Sequence, residues 1–321
     1  MQQSFKIGTR GSPLALVQAR DVRRRLAEAH GWSIEGPDSP FEIVIIKTSG
    51  DRIQDRALIE AGGKGLFTKE IEEALLSGDI QCAVHSMKDM PTDIPDGLEI
   101  AVILTREDTR DAWISPVANR IEDLPQGAKV GTASLRRQAQ VLAMRPDLEV
   151  VLFRGNVDTR LAKLAAGEVD GTLLAAAGLN RLGRPEEATA LLSIEQMLPA
   201  VAQGAVGVET REDDEQTKAL LAPLNHEPTQ IAILAERAFL KVLDGSCRTP
   251  IAALATLDET GALTLLGKVL SPDGKKIYET RRSGPANEAL QIGTRAGQEI
   301  REEAGEAFFA DLLEALKGPS A

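Results

Sequence analysis

Short apolar runs, each cut off by a small polar turn and followed by a helical pattern, recur along this chain and restrict its fold more than any other feature. Such runs are too short for helices and too continuously apolar for half-exposed strands, so they read as buried strands of α/β units. Residues 7–9 lead into Arg10-Gly11, then Ser12-Pro13 supply an N-cap and a first-turn proline. Leu14, Val17, Val22 and Leu26 follow at roughly helical spacing as far as Gly31. Residues 41–46, 80–83 and 98–104 are further buried strands, and the charged segment 106–110 reads as a crossing into a second unit. There the rhythm resumes, with strands at 129–131, 150–153 and 173–177 that end at Thr132, Arg154 and the Gly178-Leu179-Asn180-Arg181 turn. Residues 198–209 form a Gly-rich strand that could return to the first unit, 213–221 a helix and 223–228 a linker. Beyond it Thr229 is expected to cap a helix to Leu243, and strands at 251–257, 262–270 and 276–282 are joined by turn residues before a helical C-terminus. Hairpin strands followed by a helix point to a small α+β domain.

In open α/β sheets, ligands bind at the carboxyl edge of the strands. The stretch Val84-His85-Ser86-Met87-Lys88-Asp89-Met90-Pro91 places Ser86, Lys88 and Asp89 there. A carboxylate beside an ammonium at a strand end is either an acid tuned by its surroundings or a solvated loop pair. Arg10 and Ser12, at a strand end and a helix N-terminus, form a natural anion site. Gly62-Gly63-Lys64-Gly65-Leu66-Phe67 looks like a phosphate loop, but it lacks the Walker spacing and the hydroxyl residue after the lysine. It reads instead as a glycine hinge carrying Lys64, ahead of a helix with Ile71, Ala74 and Leu75 on its apolar side.

The net charge of −11 argues against a nucleic-acid surface over the whole molecule, yet the cations are unevenly spread. Residues 132–160 hold five arginines and no lysine, against three acids. Arg136, Arg137 and Arg160 fall in first helical turns, and Arg154 and Arg181 at strand ends. Arg136, Arg137, Arg154, Arg160 and Arg181 therefore belong to one ligand-binding edge, where the guanidinium fork suits carboxylates or phosphates, while Arg145 reads as an ordinary surface arginine of a helix face. Of the two cysteines, Cys82 lies inside a strand and is expected to be buried packing. Cys247 sits in a Gly-Ser-Cys-Arg loop, where Arg248 favours the thiolate; an incidental loop cysteine is the other reading. The two have no metal-type spacing. A cysteine hydrolase would need a partner histidine, and His30, His85 and His226 carry no signature linking them to Cys247. His85 is expected to be a satisfied structural histidine. No apolar run approaches the ~20 residues of a membrane span. The start Met-Gln-Gln-Ser-Phe-Lys shows no signal-peptide core, so a cytoplasmic protein is expected.

These motifs, in this order, resemble the porphobilinogen deaminase family essentially end to end. The resemblance is carried by Thr9-Arg10-Gly11-Ser12-Pro13-Leu14, the Gly62–Phe67 and Ala83–Pro91 stretches, and Gly131-Thr132-Ala133-Ser134-Leu135-Arg136-Arg137-Gln138. It continues through Arg154-Gly155-Asn156-Val157-Asp158-Thr159-Arg160, Ala177-Gly178-Leu179-Asn180-Arg181, Gln203-Gly204-Ala205-Val206-Gly207 and the Cys247 loop. It implies two periplasmic-binding-protein-like α/β domains, residues 1–104 with 200–222 and an inserted 105–199, plus a small α+β domain at 223–321. It implies a covalent dipyrromethane cofactor on Cys247, onto which four porphobilinogen molecules are condensed with loss of ammonia. The linear tetrapyrrole hydroxymethylbilane is then released by water. Asp89 matches the family's catalytic aspartate. Ser86, Lys88, Thr132, Ser134, Arg136, Arg137, Arg154 and Arg160 match cofactor positions. Arg10, Ser12, Lys64, Phe67, Arg181 and Gln203 match substrate positions. No metal is implied, and a monomer without nucleic-acid or membrane partners is expected. The main competitor is a non-catalytic, two-lobed anion-binding protein, which would explain the arginines but not Asp89 or the cysteine domain.

Overall fold

The computed structural model describes residues 4–34, 36, 39–52, 68–243, 245 and 249–317. Along the chain, β1 (Phe5–Thr9) leads to α1 (Pro13–His30), β2 (Phe41–Ile45), α2 (Ser49–Arg52), α3 (Lys69–Leu76), β3 (Cys82–Ser86) and β4 (Leu98–Ile103). Then come β5 (Asp111–Ile114), β6 (Lys129–Thr132), α4 (Leu135–Met144), β7 (Glu149–Leu152), α5 (Val157–Ala165), β8 (Gly171–Ala175), α6 (Ala176–Arg181) and β9 (Ala190–Leu191). The remainder is β10 (Val206–Arg211), α7 (Glu215–Leu221), α8 (Glu227–Val242), β11 (Ile251–Leu257), β12 (Ala262–Leu270), β13 (Ile277–Pro285) and α9 (Ala289–Lys317). Two compact units result. One contains Gly63–Glu107 and Gly204–Gln230 with the N-terminal residues; the other contains Asp108–Gln203 and Ile231–Ala321.

The first unit is built on a five-stranded sheet of order β2-β1-β3-β10-β4, with β1, β2 and β3 parallel and β10 antiparallel to both its neighbours. The second has a sheet of matching order, β7-β6-β8-β5-β9, in which β5 is the antiparallel strand beside β8. It also holds the three-stranded antiparallel sheet β11-β12-β13, against which α9 packs. The mixed α/β class and the hairpin-and-helix C-terminus thus follow the sequence reading. Helix α1 starts on Ser12, whose hydroxyl accepts from Ala15 N, and stops on Gly31 in the left-handed conformation at φ 67°. Of its apolar stripe, Val22 and Leu26 are fully buried in the core with β1 and β3, while Leu14 and Val17 are half-buried.

Three local expectations give way. Residues 198–205 are not strand. Ala202 (φ 60°) and Gly204 (φ 87°) turn the backbone left-handed, and the extended run begins only at Val206. That run does return to the first sheet, between β3 and β4. Strand β8 ends at Ala175, so Arg181 closes a short helix rather than a strand. Alanine-rich Ala175-Ala176-Ala177 suits either state, and tertiary context chose the helix. Finally α8 begins at Glu227, its Pro228 tolerated in the first turn. The cap is His226, whose Nδ1 accepts from Thr229 N at 3.3 Å and lies 2.8 Å from the Thr229 hydroxyl. Cys82 is buried as expected, and burial pushes its thiol up.

Candidate active site

In the first unit, the chemistry-bearing residues lie at the carboxyl end of β3. After Ser86 the chain tightens into a single 3₁₀ turn, Met87–Asp89. Met87 and Met90 are buried, and Met87 N donates to Ala205 O at 3.0 Å. The turn is therefore fastened by apolar side chains on either side of Lys88 and Asp89, which leaves Asp89 exposed and Lys88 half-buried. Gly207 of β10 lies under this turn; a Cβ there would run into Met87 Sδ. A cavity of about 70 Å³ opens beside it, lined by Arg10, Ser12, Gln18, Thr68, Ser86 and Asp89 among others. That is room for a small polar group. The Ser86 hydroxyl and the Gln18 amide are mutual partners, at 2.9 and 3.2 Å, so α1 holds the strand end in place. His85 also lines the cavity, and its Nε2 lies 3.0 Å from Glu209 Oε2 in the sheet interior, the structural role expected of it. The structure thus gathers Arg10, Ser12, Ser86 and Asp89. Lys64 and Phe67 lie outside the described residues.

The second unit carries the arginines. Thr132 ends β6, and its Oγ1 accepts from Ser134 N at 3.1 Å; Ser134 in turn caps α4 by accepting from Arg137 N at 3.4 Å. The cap orients the first turn of α4, and with it Arg136 and Arg137. Both are buried, at 4% and 6% exposure, which is unusual for guanidinium groups and requires a counter-charge. Asp111, fully buried at the head of β5, supplies it. Its Oδ2 accepts from Arg136 Nη2 at 2.7 Å, and its Oδ1 from Arg137 Nη2 at 2.7 Å and Nε at 3.2 Å. Burial alone would raise the Asp111 carboxyl, but the two guanidiniums outweigh it and hold it well below the usual carboxylate range. Gln203, 1% exposed, joins the same group: its Nε2 donates to Asp111 Oδ1 at 3.0 Å and to Thr109 O at 2.8 Å. Asp111 was not singled out in the sequence. The available signal was an acid directly heading the apolar run Ala112-Trp113-Ile114.

Arg154 follows β7, and Arg160 lies in α5, where its Nε donates to Gly155 O at 3.0 Å. Burial, reinforced by the like charges of Arg137 and Arg154, pushes Arg160 down to about 10. Burial is the larger cause; the lesser one, the like charges of Arg137 and Arg154, is the part that an incoming anion would relieve. Arg181 stands apart from the strand ends, at the close of α6. Cys247 and Arg248 lie outside the described residues. Burial, with Arg137 as a further cause, likewise lowers Arg136, whose Nε has no hydrogen-bond partner among the described residues. The residues present therefore fit a ligand rich in carboxylates.

Comparison with known proteins supplies the rest. Residues 5–219 match the family model described as porphobilinogen deaminase, dipyromethane cofactor binding domain, and residues 230–302 match the porphobilinogen deaminase C-terminal domain. The chain is similar to the porphobilinogen deaminase of Nitrobacter winogradskyi, 54% identical over 303 residues that cover 94% of each chain. It is similar also to that of Nitrobacter hamburgensis, 55% identical over 305 residues with the same coverage. Among solved structures it is similar to a periplasmic substrate-binding protein of an ABC transporter from Coxiella burnetii, with a TM-score of 0.42 and 14% identity. That match covers 72% of this chain and 94% of the other. Two domain models in sequence order and relatives identical at more than half of the aligned positions lead to one conclusion: this chain belongs to the porphobilinogen deaminase family.

Proposed function

We propose that the chain is a hydroxymethylbilane synthase, a transferase of tetrapyrrole biosynthesis that condenses four porphobilinogen molecules head to tail, with loss of ammonia, and releases the linear tetrapyrrole by hydrolysis. The observation that carries this is the match of the family's cofactor-binding domain to residues 5–219, the span that includes the cation-crowded edge. When bound, the dipyrromethane supplies the carbon terminus on which the chain is extended. Each pyrrole carries an acetate and a propionate, so an acidic protein needs a dense local set of arginines to hold a growing chain. A plain anion-binding protein would need neither the matched C-terminal domain nor a fastened aspartate turn.

In this reading Cys247 anchors the cofactor through a thioether, and Ser86, Lys88, Thr132, Ser134, Arg136, Arg137, Arg154 and Arg160 hold it. Arg10, Ser12, Lys64, Phe67, Arg181 and Gln203 serve the incoming porphobilinogen. Asp89 would give a proton to the leaving amine and take one from the ring carbon afterwards, a role supported by its exposure on a turn whose flanking methionines are buried. Its negative charge also favours the cationic character that develops as ammonia departs. The division into residues 1–104 with 200–222, 105–199 and 223–321 belongs to the same proposal, as do a monomeric state, a cytoplasmic location and the lack of a nucleic-acid partner.

Denaturing intact-mass measurement tests the reading. Freshly made protein should carry a two-pyrrole adduct that survives denaturation, and Cys247→Ser should lack both adduct and activity. A bare polypeptide mass for the parent would overturn the proposal; an adduct on Cys247→Ser would move the attachment point.

A further inference from the structure

We propose that Asp111 is a positioning residue for cofactor loading: its carboxylate is the built-in counter-anion that holds the Arg136 and Arg137 forks in the orientation that receives ligand carboxylates. The inference rests on the function proposed above. Consecutive helical residues point about 100° apart, so two adjacent arginines do not share a target by default. Here one carboxylate reaches both, Oδ2 to Arg136 and Oδ1 to Arg137. The far ends of the forks are fixed as well. Arg136 Nη1 donates to Leu198 O at 2.7 Å and Arg137 Nη1 to Leu173 O at 3.0 Å. Oδ1 further accepts from Gln203 Nε2 at 3.0 Å. One negative charge thus faces two positive ones, with Arg154 and Arg160 adding to the same field. The surplus is positive, and the fully buried Asp111 cannot itself reach an external ligand. Arg136 Nε is likewise buried and without a partner among the described residues, so the pair is not saturated by its internal bonds.

A positioning role and a general positive field predict opposite results for Asp111→Asn. Removing a negative charge strengthens a field and should speed the loading of a carboxylate-rich cofactor. Loss of positioning should slow it, because the forks lose the group that aims them. The experiment gives porphobilinogen to cofactor-free enzyme and follows the loaded mass with time, at low and high sodium chloride. Turnover per loaded molecule and thermal unfolding are recorded for the same samples. The expected result is loading slowed about tenfold or more, the scale of one lost charged hydrogen bond. Turnover per loaded molecule, read from the same samples, separates the loading step from the later additions. Asp111→Glu, which keeps the charge and moves it by one methylene, should recover part of the rate. Should Asp111→Asn not fold, Asp111→Glu decides by the same measure: slower loading by the folded variant supports the role. Loading at or above the parent rate in the folded variants would overturn it while leaving the proposed function standing. A parent that never loads overturns both.

Discussion

His85 on β3 and Glu209 on β10 meet at 3.0 Å between ring and carboxylate, with side-chain exposures of 5% and 0%. The strands are antiparallel neighbours, with Gly207 opposite His85 and Glu209 opposite Ala83, so the two side chains share one face of the sheet. The pair ties the strand that ends in Asp89 to the strand that returns from the second unit.

Breaking that pair should therefore be felt in stability. Glu209→Ala leaves the buried imidazole nitrogen without its partner, at a cost of about 1–3 kcal/mol. Urea unfolding checks this, and an unchanged midpoint would show that the pair is dispensable.

A second acid on the same side of the sheet sets a pH dependence. Burial, with a further push from Glu209, raises the Glu72 carboxyl above its ordinary value, against the opposing influence of Thr68 and His85. The folded protein then holds this proton more tightly than the unfolded chain, so the Glu72 contribution to stability falls as pH rises through its raised folded value. Glu72→Gln has no such proton to lose. Its stability relative to the parent should climb across that range and level off below about pH 4, where the parent carboxyl is neutral in both states. Parallel stability curves from pH 3 to 8 for the two proteins would contradict this.

Gly207→Ala should lower both stability and activity. The added methyl would collide with Met87 Sδ and crowd Ile100, and the Met87 turn carries Asp89. Overpacking of this kind costs about 1–3 kcal/mol. A variant as stable and active as the parent would mean that the turn shifts freely and that its fastening does not matter.

Asp89→Asn should leave the fold intact and slow ammonia release by about 10²–10⁴-fold. Asp89→Glu should retain more activity, since it keeps the charge. Rapid-quench measurement of ammonia decides the point; a rate for Asp89→Asn within about threefold of the parent would move the acid–base role elsewhere.

The arginines should not be equivalent. Arg136→Lys and Arg137→Lys lose forks that are buried against Asp111, and are expected to impair loading itself. Arg154→Lys, Arg160→Lys and Arg181→Lys keep the charge but lose two-bond recognition, so particular ring additions should lag about 10–100-fold. Native mass spectrometry after a brief pulse of porphobilinogen would show which intermediate masses accumulate. Identical ladders for all five variants would reduce the cluster to a general positive field.

Local sequence determined the βα rhythm, the Ser12 and Ser134 caps, the strand that leads to the Asp89 turn, and the placing of Arg136, Arg137 and Arg160 at helix starts and of Arg154 after a strand, though not that of Arg181. These features depend on side-chain period and turn chemistry within a few residues, which a linear chain displays openly. The Ala175–Arg181 helix and the turned residues 198–205 were less legible, since alanine and glycine suit several backbones and packing chooses among them. Only the tertiary structure decided how the charges are partnered. Asp111 reaches Arg136 and Arg137 across 25 and 26 residues and Gln203 across 92, and Glu209 reaches His85 across 124. A buried charge takes whichever partner the fold brings within about 3 Å. Separation along the chain carries no record of that choice, because the strand order that makes it is settled by the packing of whole sheets.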